Sequence, residues 1–204
     1  MPDIPAGHAL SFAVVFGLSF GLSLLITPLA ARLGVRRGIV DVPRGRHQHP
    51  RATSKLGGLA MYAAFMIAVI VAQFLPVERT DDKEIIRLTG LILGGTFIWL
   101  FGILDDRRDF GPLPQYIAQL LAAAIAVAFL IFIEQFNNPF TGERTPEWPF
   151  VVTVTISLFW LGLMMNTVNW LDGLDGLAAG VCAVASLMIF LHAAFELNQT
   201  SVSL

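Results

Sequence analysis

The sequence predicts an all-α fold, a polytopic transmembrane helical bundle of about six helices that forms a single integral-membrane domain over residues 1–204. Composition is the first reason: 55% of the residues are hydrophobic and 14% are charged, whereas soluble domains average about 25% charged residues. The second reason is that apolar runs approaching the ~20 residues of a membrane span recur along the chain. Helices are expected in these runs because a helix satisfies its own backbone hydrogen bonds in lipid.

The six apolar runs define the predicted spans, at about 9–31, 56–75, 88–104, 114–133, 149–165 and 173–195. The first run is not predicted to be a cleavable signal peptide, because it lacks a basic start and its basic residues follow it. The third and fifth runs are short for a span, but each can extend into the polar motif beside it. A soluble helical bundle is disfavoured because these runs show few polar faces.

Charge distribution predicts which loops face the cytoplasm. Seven of the thirteen Lys and Arg residues lie in the segment 32–55, and cytoplasmic loops are enriched in these residues. Alternation of the helices then places the N-terminus outside and two further loops, 105–113 and 166–172, in the cytoplasm. The three polar clusters of the chain are therefore expected on one face of the membrane: 41–58, 105–109 and 166–175.

The first polar cluster, within GIVDVPRGRHQHPRATSKLGGL, is a basic loop that leads into the second helix. Topology alone accounts for its arginines. It does not account for His47 and His49 beside prolines, or for the pair Gly57-Gly58, which permits close backbone approach at the start of a helix. Helix N-termini bind anions, and Lys55 just before this one would suit a phosphate. A loop set only by topology and a phosphate-binding loop both remain open at this point.

The second polar cluster, within FGILDDRRDFGPLPQ, ends the third predicted helix with Asp105 and Asp106. The partial negative charge of a helix C-terminus disfavours carboxylates, and two adjacent carboxylates also repel each other. One interpretation is a solvated helix end that pairs with Arg107 and Arg108. A divalent cation explains two carboxylates better, because Mg²⁺ takes oxygen ligands and usually keeps waters and substrate phosphates.

The third polar cluster, within NTVNWLDGLDGLAAG, has four polar side chains at a spacing of three residues: Asn166, Asn169, Asp172 and Asp175. On an ideal helix each step of three residues turns back by about 60°, so the first three share a face. The fourth joins them only if the helix breaks near Gly173 or Gly176. Hydrogen bonding between buried helices is the structural alternative, but ionisable residues beside membrane spans favour a functional site.

These motifs resemble a known family. In order and spacing, VDVPRGRHQHPRATSKLGG, GILDDRRDFGP and NTVNWLDGLDGLAAG are similar to the leading motifs of the polyprenyl-phosphate N-acetylhexosamine-1-phosphate transferases, of the glycosyltransferase family 4 type, over about 39–180. The first motif resembles the bacterial undecaprenyl-phosphate GlcNAc-1-phosphate transferase branch more than the phospho-MurNAc-pentapeptide branch. The resemblance implies transfer of a sugar 1-phosphate from a UDP-sugar to undecaprenyl phosphate, with release of UMP and with Mg²⁺ or Mn²⁺ as cofactor.

The resemblance also implies roles for residues of the three clusters. Asp105 and Asp106 are expected to be catalytic and, with Asp172, to bind the metal, while the main metal-binding Asp is expected beyond Leu204. Substrate binding is expected from the following residues: His49, Lys55, Asn166, Asn169, Asp172 and Asp175. The implied setting is the bacterial plasma (inner) membrane, with a cytoplasmic active face and a role in starting envelope polysaccharides. The implied partners are the UDP-sugar, the lipid acceptor, the bilayer and a second copy in a homodimer, with no nucleic acid.

The chain departs from the family pattern at several points. Gln115 stands where the family commonly has Lys, and Ser54 stands where Pro is usual. The family has about ten or eleven helices, and its later Gly-Asp-x-Gly-Ser motif and His- and Arg-rich loop do not occur in these 204 residues. The expectation is therefore a truncated transferase that is inactive by itself.

Two other functions are compatible with the sequence. An ion-coupled transporter would use the same Asp and Asn residues, but it would carry them near the middle of the bilayer, whereas alternation places them at one face. A non-catalytic fragment kept for assembly is the other alternative. Which Asp, if any, deprotonates the acceptor stays open, because a phosphate with a second pKa near 6 is mostly dianionic at neutral pH.

Overall fold

A computed structural model describes residues 6–41, 53–77, 81–136, 138, 140 and 143–196 and confirms the all-α prediction. Six α-helices lie within these parts of the chain: α1 (Ala6–Arg37), α2 (Gly57–Ala72), α3 (Glu84–Arg108), α4 (Pro112–Ala128), α5 (Phe150–Leu171) and α6 (Leu177–Leu191). One further helical turn, His192–Glu196, continues α6. By length and composition, four of the helices could cross a membrane: α1, α3, α5, and α6 when it is taken with its continuation to Ala194; α2 and α4 are shorter apolar helices.

The helix lengths refine the predicted spans. α3 and α5 extend into their flanking polar motifs, as expected for the third and fifth apolar runs. α2 and α4 contain 16 and 17 residues, or about 24–26 Å at 1.5 Å per residue, which is less than the ~30 Å of a hydrocarbon core. Both helices end before the apolar run does, because turns follow them, at residues 73–74 after α2 and at residues 129–130 after α4.

Large and small apolar side chains are distributed as in a membrane protein. Among the described residues, ten of the twelve buried hydrophobic side chains are Ala. Large side chains point outward instead, and Phe16, Phe74, Phe150 and Trp170 are each at least 70% exposed. Without a hydrophobic drive between helices in lipid, close backbone packing through small residues is what holds such helices together. The chain is therefore a membrane protein whose outer surface suits lipid.

The helices fall into two compact units, one of residues 1–80 with 186–204 and one of residues 81–185. In the first unit, α1 packs against α2. The contact uses a column of buried alanines at every fourth position of α2: Ala60, Ala64, Ala68 and Ala72. Val15 near the start of α1 packs with the last two of these alanines, so the two helices run antiparallel. The Phe12 and Phe190 rings also meet edge to face in this unit, with centroids 5.4 Å apart.

A small β-ribbon, absent from the sequence prediction, joins α1 to α2. β1 (Val40–Asp41) pairs antiparallel with β2 (Thr53–Ser54). The ribbon lies against α1 so closely that a Cβ at Gly34 would collide with the Ser54 hydroxyl. A local hydrophobicity pattern does not reveal such a two-residue pairing, because it depends on contact between Ser54 and Gly34, which lie in separate segments of the chain.

The second unit contains α3, α4 and α5 in antiparallel succession. α3 approaches α4 through glycines: a Cβ at Gly90 would collide with Phe129, and one at Gly94 would lie 3.3 Å from the Ala122 carbonyl oxygen. These pairs show that the start of α3 lies beside the end of α4. Small residues at the contact permit this close approach.

α5 also packs antiparallel to α4, again with a glycine at the contact. A Cβ at Gly162 would lie 3.3 Å from Leu120. The fully buried Ser157 hydroxyl accepts a hydrogen bond from the Ile133 N–H at 2.8 Å. The first part of α5 therefore lies beside the end of α4, and the last part of α5 lies beside the start of α4.

Candidate active site

The turn between α3 and α4 is short and tightly specified. Asp109 adopts the left-handed conformation, with φ 48° and ψ 65°, and its N–H donates to the Asp105 carbonyl oxygen at 2.8 Å. Gly111 is extended, and Pro112 follows as the first residue of α4. Pro is well suited to that position, because the first N–H groups of a helix have no intrahelical acceptor.

The Asp105 carboxylate is held by this turn. Its Oδ1 accepts a hydrogen bond from the Phe110 N–H at 3.0 Å, and its Oδ2 accepts one from Gln115 Nε2 at 3.0 Å. Gln115 Nε2 also lies 3.3 Å from the Phe110 carbonyl oxygen. The Phe110 ring stacks on Phe101 with centroids 5.5 Å apart. Asp105 is thus a half-buried carboxylate with an N–H donor on each oxygen, which offsets the unfavourable field of the helix end.

Asp106 has a different environment although it is the next residue. Its side chain is exposed, as are those of Arg107, Arg108 and Asp109. The recorded hydrogen bonds of the Asp105 carboxylate come from amide groups and not from these arginines. The two carboxylates expected from the sequence therefore differ: Asp105 is held by two hydrogen bonds, and Asp106 is exposed.

The third motif contains the break between α5 and α6, near the two glycines that the sequence indicates as positions where a helix could break. α5 ends at Leu171, and Asp172 caps it with φ −77° and ψ 41°. Gly176 has a positive φ of 78°, which favours glycine. The helix restarts at Leu177, where the Gly180 N–H donates to the Gly176 carbonyl oxygen at 2.8 Å.

The four polar residues of this motif differ in exposure. Asn166 is half-buried in α5, and Asn169 is exposed in its last turn. Asp172 and Asp175 lie in the turn itself and are exposed. The motif therefore presents amide and carboxylate oxygens at an open helix end.

The second and third motifs lie at the same end of the second unit. Asp105 at the end of α3 reaches Gln115 in the first turn of α4. Gly162, two and a half turns before the end of α5, lies beside Leu120, slightly more than two turns into α4. Because α4 is antiparallel to both neighbours, the ends of α3 and α5 are brought to one side of the unit.

The residues of the first motif belong to the other unit. His49 lies outside the described residues, so the structure describes only part of this motif. Lys55 is half-buried in the turn before α2, and its N–H donates to the Ile39 carbonyl oxygen at 3.2 Å. The β-ribbon therefore fixes the backbone of Lys55 next to the end of α1.

A magnesium ion is compatible with the residues present. Among the described residues, no group of three or more His, Cys, Asp or Glu side chains is placed to hold a metal ion. The expected set Asp105, Asp106 and Asp172 is therefore not gathered into one cluster. Mg²⁺ commonly uses only one or two carboxylates and completes its shell with waters and substrate phosphates. Asp106 is exposed, and each Asp105 oxygen keeps a lone pair beyond its one hydrogen bond, so this donor set suits the ion.

Comparison with known proteins identifies the family. Residues 88–204, more than half of the chain, match the family model described as Glycosyl transferase family 4. The chain belongs to glycosyl transferase family 4. This confirms the resemblance drawn from the three motifs, and the matched region contains the second and third of them.

Several curated proteins are similar to this chain over about three quarters of its length. The "Decaprenyl-phosphate N-acetylglucosaminephosphotransferase" of Mycolicibacterium smegmatis is 31% identical over 157 residues, 77% of this chain and 39% of the relative. The "Probable undecaprenyl-phosphate N-acetylglucosaminyl 1-phosphate transferase" of Bacillus subtilis is 30% identical over 74% of this chain and 40% of the relative. A "Phospho-N-acetylmuramoyl-pentapeptide-transferase" of Staphylococcus saprophyticus is 30% identical over 78% of this chain and 51% of the relative.

The chain thus spans about two fifths to one half of the length of these relatives. No solved structure matches it.

Gln115 and Phe110 are the site residues that the sequence did not identify as such. Gln115 was notable only as a departure from the family pattern. The sequence did contain one indication of this role. Gln115 lies in the first turn of the helix after Asp105 and Asp106, where a side-chain donor can reach back across a short turn.

Proposed function

We propose that this protein transfers N-acetylglucosamine 1-phosphate from UDP-N-acetylglucosamine to undecaprenyl phosphate or a similar polyprenyl phosphate, and releases UMP. The observation that carries the proposal is the paired carboxylate of Asp105 and Asp106 at the end of α3, on the same side of the unit as the Asn- and Asp-rich break after α5. Membership of glycosyl transferase family 4 and the names of the relatives support the reaction and the acceptor.

The reaction joins two substrates that repel each other. An oxygen of the acceptor phosphate attacks the β-phosphorus of the UDP-sugar, and the bond from that phosphorus to the bridging oxygen breaks, so that UMP leaves. The acceptor is mostly dianionic at neutral pH, so its attack needs no general base. Bound Mg²⁺ or Mn²⁺ would neutralise charge on the phosphate oxygens as it develops. Asp105 and Asp106 would hold this ion with help from the substrate phosphates.

The other polar residues have proposed roles in substrate binding. The exposed oxygens at the α5–α6 break suit hydrogen-bond donors of the uridine and the sugar, and Asp172 can add a metal ligand. These oxygens belong to Asn169, Asp172 and Asp175, and the half-buried amide of Asn166 within α5 is proposed to take part in the same binding. The cations of the first motif, His49 and Lys55, suit the phosphates of either substrate.

A transporter is less well supported by the positions of the charges. Neither the 88–104 part of α3 nor the 150–165 part of α5 contains an ionisable residue. The carboxylates lie instead at the helix ends and in the turns that follow. A substrate site near the middle of the bilayer, as in many secondary transporters, would require charges or breaks within those segments.

The decisive experiment is an assay of UMP release. The protein, as its gene encodes it, is purified in detergent and supplied with UDP-N-acetylglucosamine, undecaprenyl phosphate and Mg²⁺. We expect UMP and a lipid-linked N-acetylglucosamine phosphate in equal amounts, and loss of both when EDTA removes the metal. Folded protein that produces neither product, with Mg²⁺ or with Mn²⁺, would refute the proposed reaction.

We also propose that the protein lies in the plasma membrane with this site on the cytoplasmic face. Single cysteines at positions 108, 170 and 144 test the orientation in a Cys182→Ala background, since Cys182 is itself exposed. An impermeant thiol reagent added to intact cells should label position 144 and spare 108 and 170. Labelling of 108 or 170 from outside would contradict the proposed orientation.

A further inference from the structure

The Gln115 side chain is placed to control the Asp105 carboxylate. Its Nε2 donates to Asp105 Oδ2 at 3.0 Å and lies 3.3 Å from the Phe110 carbonyl oxygen, so one amide group links the end of α3, the turn and the start of α4. Gln115 is half-buried and reaches Asp105 across ten residues of sequence. Its own backbone is fixed within the first turn of α4.

The hydrogen bonds leave little rotational freedom to the carboxylate. An Asp side chain has two torsion angles, and each oxygen of Asp105 accepts a hydrogen bond, one from the backbone N–H of Phe110 in the turn and one from the side-chain amide of Gln115 in the first turn of α4. Only proline at position 110 would remove the Phe110 N–H, and it would also constrain the backbone of the turn, so it would not test the hydrogen bond alone. Gln115 is the part of this arrangement that side-chain substitution can remove.

We propose that Gln115 is a positioning residue that orients the Asp105 carboxylate toward the phosphate and metal centre. The inference rests on the proposed function, in which Asp105 and Asp106 face the substrate phosphates. Gln115 itself does not contact the reacting groups. It acts through Asp105, whose remaining lone pairs point in a direction that the Gln115 and Phe110 donors decide. A preorganised group of this kind accelerates a reaction because it needs no reorientation as charge develops.

The proposal requires that the side chain at position 115 carries a hydrogen-bond donor and is long enough to reach the Asp105 carboxylate. Leu removes the donor at similar size. Glu keeps the shape but places an acceptor with a negative charge opposite Asp105, so it should be at least as harmful as Leu. Lys retains a donor on a chain of similar length and adds an attractive charge. Enzymes with Gln or Lys at position 115 should therefore be more active than enzymes with Leu or Glu. Helix propensity does not predict this order, since all four residues suit a helix.

The test compares kcat and KM for these variants in the UMP-release assay, with Gln73→Leu as the control. Gln73 is an exposed glutamine whose recorded side-chain hydrogen bond goes to the carbonyl oxygen of Val69 one turn earlier. We expect Gln115→Leu to lower kcat by about tenfold, the scale of one hydrogen bond to a charged group, with KM for UDP-N-acetylglucosamine changed by less than about twofold. Gln115→Lys should stay within about threefold of the parent enzyme, and Gln73→Leu should not differ from it.

A double-variant cycle distinguishes positioning from a general effect on folding. If Gln115 acts through Asp105, Gln115→Leu should change the rate less than about twofold in an Asp105→Asn background. The same cycle on the thermal unfolding midpoint, without substrate or metal, reports the hydrogen bond itself and should also show coupling.

Three outcomes decide the inference. Normal kcat in Gln115→Leu would overturn it, as would a tenfold loss that persists in the Asp105→Asn background. An unfolding midpoint that falls while kcat of the folded fraction is unchanged would show that Gln115 stabilises the turn only, and would overturn it too. Absence of turnover by the parent enzyme would instead refute the proposed function, on which the inference depends.

Discussion

The two carboxylate-bearing helix ends of the second unit differ in how firmly they are held. At the end of α3, the turn to α4 is only three residues long, and Asp105 has a donor on each oxygen. At the end of α5, the interruption before α6 is five residues long, and Asp172 and Asp175 are exposed. At the end of α3 the Asp105 carboxylate is already oriented by hydrogen bonds within the protein. At the end of α5 the carboxylates lie exposed in a turn.

This difference suits two tasks in the proposed reaction. Phosphoryl transfer depends on fixed charges around the reacting phosphorus, which favours the held end. Recognition of a nucleotide sugar requires several hydrogen bonds to groups that are farther from the chemistry. Substitutions at the held end should therefore affect kcat most, and substitutions at the open end should affect KM.

The largest expected effect is at Asp106, the exposed carboxylate next to the held Asp105. Asp106→Asn keeps the size of the side chain and one oxygen but removes a charge from the proposed metal and phosphate centre, so turnover should fall at least about a hundredfold, the scale seen when one electrostatic group at a reacting centre is removed. Expression and folding should be nearly unchanged, because a repulsion with Asp105 is relieved. Arg108→Gln, two residues further on, is the matched control and should change turnover less than about twofold. Near-normal turnover by Asp106→Asn at matched protein levels would show that this helix end is merely solvated.

The second prediction concerns the α3–α4 packing that supports the held end. A Cβ at Gly90 would collide with the Cβ of Phe129, which cannot move without its backbone. Gly90→Ala should lower the free energy of unfolding by about 2 kcal/mol, within the range for overpacked sites. Gly95→Ala provides the control, because nothing lies within 4 Å of a Cβ there. Thermal unfolding in detergent measures both, and equal midpoints for the two variants would contradict the close approach.

The third prediction concerns the open end. Asp172→Asn removes a charge from an exposed turn, so KM for UDP-N-acetylglucosamine should rise by about tenfold, which corresponds to about 1.4 kcal/mol of binding free energy. Its kcat should fall less than that of Asp106→Asn. Steady-state kinetics over a range of UDP-N-acetylglucosamine concentrations separates the two constants. A loss confined to kcat would remove the functional distinction between the two ends.

The smallest expected effect concerns the backbone of the open turn. Gly176 has φ 78°, where a side chain adds strain, so Gly176→Ala should lower the free energy of unfolding by about 1 kcal/mol. Gly180→Ala is the control in the first turns of α6, where a Cβ meets nothing within 4 Å and helix propensity favours Ala. The thermal midpoints should therefore shift in opposite directions. A Gly176→Ala variant as stable as Gly180→Ala would indicate that the turn adopts another conformation.

The sequence by itself determined the membrane class and the approximate position of each helix, and it indicated Gly173 and Gly176 as positions where a helix could break. These features follow from local properties: apolar runs of sufficient length, polar residues at regular spacing, and glycines where the spacing must change. The three motifs also sufficed to indicate the family, because their residue types and order are specific. The length of α2 and α4 was overestimated, since apolar residues in turns near a membrane look like apolar residues in helices.

The tertiary structure alone decided that Asp105 and Asp106 are not equivalent. Two adjacent aspartates look alike in a sequence, and their difference arises because Gln115 and the Phe110 N–H reach Asp105 across a turn whose shape depends on a left-handed residue, Asp109. The β-ribbon against Gly34 has the same origin, in a contact between segments separated along the chain. Hydrophobic periodicity reports how each segment meets lipid, whereas such hydrogen bonds depend on the register between segments, which no single segment contains.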